Sequence, residues 1–264
     1  MEPYLEANKA LWNARTPHHI GTEFYDVPGF LAGNTSLKAP ELALLGDITG
    51  QDILHLQCHF GQDTLSMSRM GARVTGLDLS DIAIAEAQKL AEQAQLPAQF
   101  VCADVYDTPN LLPKNSFDTV FTTYGTIGWL PDIDRWAAVI SQMLRRGGRL
   151  VFAEFHPVVW MYDDDFTNVA YPYFNVAPII ETEQSTYADT NAQINIQSYG
   201  WNHSIADVLT ALIKHGLRLD AFREYDSSPY NCFRHTTQRP DGNYIITHFE
   251  GRIPMMYALQ ATKL

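Results

Sequence analysis

The stretch from Ile53 to Ser80, ILHLQCHFGQDTLSMSRMGARVTGLDLS, constrains this chain more than any other. Ile53 to Gln57 is an apolar run of strand length, Gly61 marks a tight turn, and Gln62 to Met70 carries helical spacing. Arg73 to Leu79 follows as a second strand with Asp78 near its end. A buried strand, a glycine turn, a helix and an acid closing the next strand make a nucleoside-binding βαβ unit. The acid accepts hydrogen bonds from two ribose hydroxyls, and Gly61 is expected to let the backbone approach the ligand. The other reading of Asp78 is a helix N-terminal acid beside the Ser80 cap.

The alternation continues downstream. Ser80 caps a helix with Ile84, Ala87, Leu90, Ala91 and Ala94 on one stripe, and Pro97 stops it. Ala98 to Ala103 is a third strand leading into Asp104, and Phe117 to Thr123 is a fourth, followed by the turn YGTIGW. A helix starting at Asp132 or Asp134 turns Trp136, Val139, Ile140, Met143 and Leu144 inward and is expected to end at Gly147 and Gly148. Arg149 to Phe155 is the fifth strand. From Pro157 to Gly200 no helix is predicted, and alternating runs such as QINIQSY predict antiparallel strands and loops. Ser204 and Asp207 then form a capping box for a helix that stops at Gly216. Strands at Leu217 to Tyr225 and about Met255 to Thr262 finish the chain.

Ahead of the βαβ unit, Tyr4, Leu5, Leu11 and Trp12 predict a short amphipathic helix over about Glu2 to Asn13, ended by Pro17, and a second helix spans Ala39 to Leu45. The segment TPHHIGTEFYDVPGFLAG reads as an ordered cap. The fold expected is α/β: a doubly wound, Rossmann-like sheet with helices on both faces and an antiparallel insertion after the fifth strand. Residues 1–36 form a helical cap and residues 37–264 the main domain, with 157–201 as a substrate-binding insertion.

Bulk properties narrow the partners. A net charge of −12 argues against nucleic acid or an anionic membrane, because phosphate binding needs clustered Lys and Arg. The densest basic group, Arg145, Arg146 and Arg149, sits at a predicted helix end, where cations suit the dipole. MEPYLEANKA has no basic-then-apolar signal pattern, and no apolar run reaches membrane-span length. Three cysteines, Cys58, Cys102 and Cys232, are too few for a disulfide framework, so a cytoplasmic location is expected. His55 and His59 lie on a strand and a loop rather than one helix face, so no metal site is expected.

Two nucleoside ligands fit the βαβ unit. A dinucleotide needs three glycines so that backbone N–H groups close on a pyrophosphate, yet two of the three alignable positions hold Gln57 and His59. S-adenosylmethionine carries no phosphate and tolerates a wider turn. An NAD-linked oxidoreductase is therefore the weaker alternative.

With LHLQCHFG, GLDLS and CADV in this order, residues 53–157 resemble the class I S-adenosylmethionine-dependent methyltransferases, and the last helix and strand pair resemble them more loosely. The resemblance implies a seven-stranded, mostly parallel sheet whose last strand enters antiparallel. It implies that Gln57, His59 and Gly61 meet the methionine end of the cofactor and that Asp78 holds the ribose. Asp104 matches the acid that meets the adenine amino group, with Leu79 and Val105 flanking the ring, and Thr123 and Tyr124 line the sulfonium side. The chain departs from the family where His55 stands in place of an acid, and Asp63 is a candidate replacement for that carboxylate.

The resemblance implies methyl transfer to an acceptor, an in-line displacement in which positioning can dominate and a base is optional. If a base acts, His156 after the fifth strand is the candidate, with Tyr124 and Tyr162 as alternatives; His156 could equally bond only backbone before Pro157. Substrate contacts are expected from the cap, through His18 and Tyr25, and from the insertion, through Trp160 and Tyr162. Together with Asp163, Asp164 and Asp165 these would form an aromatic, electronegative lid over a small neutral or cationic molecule. Part of that aromatic content could serve a subdomain core or a homodimer contact. The expected function is methylation of a small molecule; the alternative is a non-catalytic S-adenosylmethionine-binding regulatory protein.

Overall fold

The computed structural model describes residues 2–264. The strands are β1 (Asp52–Leu56), β2 (Arg73–Asp78), β3 (Gln99–Cys102), β4 (Phe117–Thr123), β5 (Leu144–Phe155), β6 (Ile179–Glu183), β7 (Ile196–Gly200), β8 (Leu217–Tyr225), β9 (Thr236–Gln238), β10 (Tyr244–Ile246) and β11 (Met256–Lys263). The helices are α1 (Pro3–Ile20), α2 (Val27–Leu31), α3 (Ala39–Leu45), α4 (Gln62–Arg69), α5 (Asp81–Ala94), α6 (Thr108–Leu111), α7 (Ile133–Met143) and α8 (Ile205–Lys214).

Seven strands form one sheet in the order β3-β2-β1-β4-β5-β11-β8. β11 runs antiparallel between β5 and β8, and the other six are mutually parallel. The apolar run of β1 is explained by burial on both faces, as expected of a parallel sheet. Leu54 and Leu56 pack with Val120, Trp136, Ile140 and Leu212 against α7 and α8, while Ile53 packs with Leu45, Met67, Phe121 and Val151 under α3 and α4. The strand order reverses between β1 and β4, and a crevice opens there beyond the carboxyl ends of the strands. The expected fold, including the antiparallel last strand and a β6–β7 hairpin in the insertion, is present.

The capping residues perform as their chemistry dictates. Ser80 accepts from Ala83 N–H, Asp132 from Arg135 N–H, and Ser204 and Asp207 bond reciprocally.

Several expectations are corrected. Pro17 does not end the first helix, which continues to Ile20. A proline removes one backbone bond, but long-range packing holds the last turn: Arg15 is bonded to Glu183 at 2.8 Å and His19 is fully buried. Gly147 and Gly148 do not end a helix either, because α7 stops at Met143 and β5 begins at Leu144. They form an irregularity within the strand, where a Cβ on Gly148 would come within 3.0 Å of the Phe117 and Asp118 carbonyls. Cys58 and Cys102, both expected on or beside buried strands, part company: Cys58 is buried, whereas Cys102, on the edge strand β3, is exposed. The short α2 and the β9–β10 hairpin carried no periodic signal long enough to read.

Candidate active site

A cavity of about 1220 Å³ occupies the crevice. Four strand ends supply one wall: residues 57–61 after β1, Asp78 and Leu79 after β2, 103–105 after β3, and 123–126 after β4. The cap and the β6–β7 hairpin close over them. Asn8 exchanges two 2.9 Å bonds with the Tyr199 backbone, Arg15 meets Glu183, and the hydroxyls of Tyr25 and Tyr187 lie 2.5 Å apart.

The turn after β1 keeps a glycine-like path without the glycines. Gln57 and His59 have φ of +56° and +50°, a conformation costing roughly 1–2 kcal/mol for a residue with a Cβ. Each is held there by bonds. Gln57 Nε2 donates to the Thr126 carbonyl at 2.8 Å, and the His59 N–H donates to Asp78 at 2.7 Å. Gly61, on the cavity wall with φ +79°, has a packing role as well. A Cβ there would meet Phe100 at 2.8 Å and Ala87 at 3.0 Å, so the glycine permits helix-to-sheet packing.

Asp78 accepts from the His59 and Ser80 N–H groups, one on each oxygen. It is thus both the loop's clamp and a cavity wall. A carboxylate has about four lone-pair sites, so two remain for a ribose diol. Burial raises its pKa to about 6 despite these bonds. Asp104 caps the turn that follows it by accepting from Tyr106 N–H, and burial raises its pKa as well. Leu79, Val105 and Leu130 provide apolar surface beside it.

Thr123, Tyr124, Tyr25, Trp160 and Tyr162 also line the cavity, as the sequence suggested. Two predicted residues do not. His156 lies outside it, with Nε2 2.9 Å from Glu224 and Nδ1 accepting from the Val158 N–H; both ring nitrogens are occupied. It serves the backbone and the sheet edge, not the crevice. His18 also lies outside, paired with Asp189 at 3.2 Å. Its neighbour His19 is the buried one, because helix α1 extends further than expected. His19 bonds His59 at 2.9 Å and Thr186 at 2.6 Å, tying the N-terminal helix, the loop after β1 and the segment after β6 together.

The lid aspartates are largely spent locally. Asp163 accepts from the Thr167 N–H, which lowers its pKa to about 2, while Asp164 and Asp165 pair with Arg234. The expected electronegative surface is therefore partly neutralised.

Sequence reading missed three contributors. Glu154 on β5 is buried and receives the N–H groups of Gly125, Thr126, Ile127 and Phe155. It shapes the turn after β4. Tyr230 and Phe233, from the segment after β8, enter the cavity beside Tyr124 and Phe155. A glutamate inside a predicted strand was a usable signal for Glu154; the loop aromatics had none. His55 is buried, bonds Thr64 at 2.8 Å and has its pKa lowered to about 3 by burial. No group of three or more His, Cys, Asp or Glu suited to a metal occurs among the described residues.

The buried histidines set a pH dependence. Burial lowers the pKa of His19, with His59 adding to the effect, so the folded state holds it neutral. Stability from such a group is present above the unfolded value near 6.5 and is lost as pH falls below it, by about 1.4 kcal/mol per pH unit. Replacing His19 with Asn is expected to make the acid limb shallower by that slope, in urea unfolding compared between pH 5 and 7.

Comparison with known proteins agrees with this geometry. Residues 54–152 match a family described as "Methyltransferase domain". The chain is 34% identical over 135 residues to a demethylmenaquinone methyltransferase of Lactococcus lactis subsp. lactis (strain IL1403), a match covering 49% of this chain and 52% of that protein. It is 30% identical over 124 residues to the S-adenosyl-L-methionine-dependent Diels-Alderase iccD of Talaromyces variabilis, covering 45% and 42%. The chain spans about half the length of the curated relatives it matches. Among solved structures, geranyl diphosphate C-methyltransferase from Streptomyces coelicolor A3(2), bound to S-adenosyl-L-homocysteine, superposes with a TM-score of 0.61 at 16% identity, covering 99% of this chain and 98% of that one. That likeness is one of fold. The stretch that matches this methyltransferase-domain family, residues 54–152, contains the crevice loops from β1 to β4.

Proposed function

We propose that this protein transfers a methyl group from S-adenosylmethionine to a small-molecule acceptor, releasing S-adenosylhomocysteine. The observation that carries the reading is Asp78: a strand-end carboxylate on the cavity wall with two lone-pair sites uncommitted by the backbone. When bound, the cofactor supplies an electrophilic methyl on a sulfonium. Asp78 would hold the ribose, Asp104 the adenine edge, and Leu79 and Val105 the ring faces. Gln57 fits the methionine end, since its Oε1 is buried without a partner on the cavity wall.

The volume supports a second molecule. At about 1220 Å³ the cavity exceeds the roughly 300–1,000 Å³ typical of a single-ligand pocket. Its remaining wall is aromatic, built by Tyr124, Phe155, Trp160, Tyr162, Tyr230 and Phe233. The cap (1–36) and the insertion (157–201) would recognise the acceptor and exclude water.

The test is mass spectrometry. Purified protein is expected to carry or bind S-adenosylmethionine, and incubation with a metabolite extract should yield a product one methylene heavier together with S-adenosylhomocysteine. Tight cofactor binding without any such product would favour the alternative of a protein that uses the cofactor without transferring its methyl group.

A further inference from the structure

Methylating a hydroxyl leaves a proton to be placed, and the structure contains a buried group suited to take it. Glu41, on α3, is fully buried. One of its oxygens accepts from the Lys38 N–H and the other from the Tyr124 hydroxyl, at 2.6 Å in both cases. Glu41 itself does not line the cavity, whereas Tyr124 does, so the phenol stands between the carboxylate and the acceptor compartment. The bond to Lys38 completes a helix cap and accounts for one oxygen; the cap does not require the second to face a cavity tyrosine.

Among the described residues, no cation is paired with this carboxylate. The Lys38 ammonium lies over the Tyr230 ring, 5.1 Å from its centroid, and Arg149 is bonded to the Leu44 and Leu45 carbonyls at the far end of α3. The remaining ionisable neighbours, Asp63 and Tyr230, are acidic groups. Burial first and Asp63 second raise the Glu41 pKa to about 7, which places its proton affinity near neutrality. Around Tyr124 the wall is aromatic: Tyr230 at 5.1 Å, Phe155 at 5.7 Å, and Phe233 beyond Phe155 at 5.0 Å.

We propose that Tyr124 and Glu41 form a proton-accepting dyad, and that the acceptor is a planar aromatic hydroxyl, a phenol, stacked among these rings. This rests on the methyltransferase reading and deepens it. As the methyl group forms its bond to the acceptor oxygen, the electron pair of the broken carbon–sulfur bond stays on sulfur. The acceptor's O–H proton passes to Tyr124 Oη, and the Tyr124 proton passes to Glu41 Oε2. Tyr124 touches the acceptor; Glu41 acts through it and is a positioning residue.

The test needs no turnover. Protein saturated with S-adenosylhomocysteine is titrated with 4-nitrophenol above that phenol's own pKa, and proton uptake is measured by calorimetry in buffers of different ionisation heat. An anionic dyad accepts the ligand only with its proton, so wild type is expected to take up about one proton per 4-nitrophenolate bound, and Glu41→Gln close to none. As a second variant, Tyr124→Phe should weaken 4-nitrophenol at least about tenfold while leaving nitrobenzene, which lacks the hydroxyl, unchanged. Equal proton uptake in wild type and Glu41→Gln, equal losses for both ligands in Tyr124→Phe, or no binding of 4-nitrophenol would each overturn the proposal. Failure of S-adenosylhomocysteine itself to bind would instead remove the reading beneath it.

Discussion

Replacing Asp78 with alanine is expected to weaken S-adenosylhomocysteine binding by at least about a hundredfold. Each hydrogen bond to a charged acceptor contributes roughly 1.5–3 kcal/mol, and the two lone-pair sites left over from the His59 and Ser80 N–H groups suit the two hydroxyls of one ribose. Losing both costs about 3–6 kcal/mol, and each 1.4 kcal/mol is tenfold in affinity. The alanine variant also frees two backbone donors, which loosens the loop at Gln57 and His59. Asp78→Asn retains one acceptor oxygen and should fall between the two. A pH signature accompanies the effect. Because the folded acid titrates at about 6 and binding requires the ionised form, affinity is full above that value and declines as pH drops below it. Calorimetry at pH 5 and 7.5 measures both. An affinity unchanged by Asp78→Ala would place the sugar elsewhere.

Glu154→Gln is expected to cost about 4 kcal/mol of folding stability and to lower the melting temperature by roughly 10 °C, since each kcal/mol shifts a domain of this size by about 2–4 °C. The two Glu154 oxygens receive four backbone N–H groups and the Thr126 hydroxyl. A glutamine can present only one oxygen. Its amide NH₂ must then face at least two buried N–H groups, each costing about 1–3 kcal/mol unpaired. The turn these donors belong to carries Thr126, whose carbonyl anchors Gln57 on the opposite side of the crevice. Cofactor affinity should therefore fall with stability. Thermal melts with and without S-adenosylhomocysteine separate the two effects; a variant melting within 2 °C of wild type, an interval of about 1 kcal/mol or less, would show that the turn holds without the carboxylate.

Legibility divided along the physics of range. The strands β1, β2, β4 and the second half of β5 were readable because burial on both faces demands unbroken apolar runs, and the helices α5, α7 and α8 because Ser80, Asp132 and Ser204 are side chains that cap locally. Asp78 and Asp104 were readable because a strand-end acid in a βαβ unit has a fixed address. His156 was misplaced for the same reason. Its address after β5 suggested the crevice, but Glu224 on β8 and the Val158 backbone occupy both nitrogens. His18 faces away from the cavity and His19 is buried because α1 continues past Pro17 to Ile20, and two neighbours on a helix face different directions.

The sequence by itself determined the sheet's core strands, the caps and the strand-end acids that line the crevice, since each depends on residues a few positions apart. Only the tertiary structure decided what surrounds them: that Glu41 from the segment before β1 reaches Tyr124, that Tyr230 arrives from beyond β8, and that His19, His59 and Thr186 meet. Those partners are separated by 83, 106, 40 and 167 positions. At such distances no local periodicity records them, and only the closing of loops over a completed sheet brings them together.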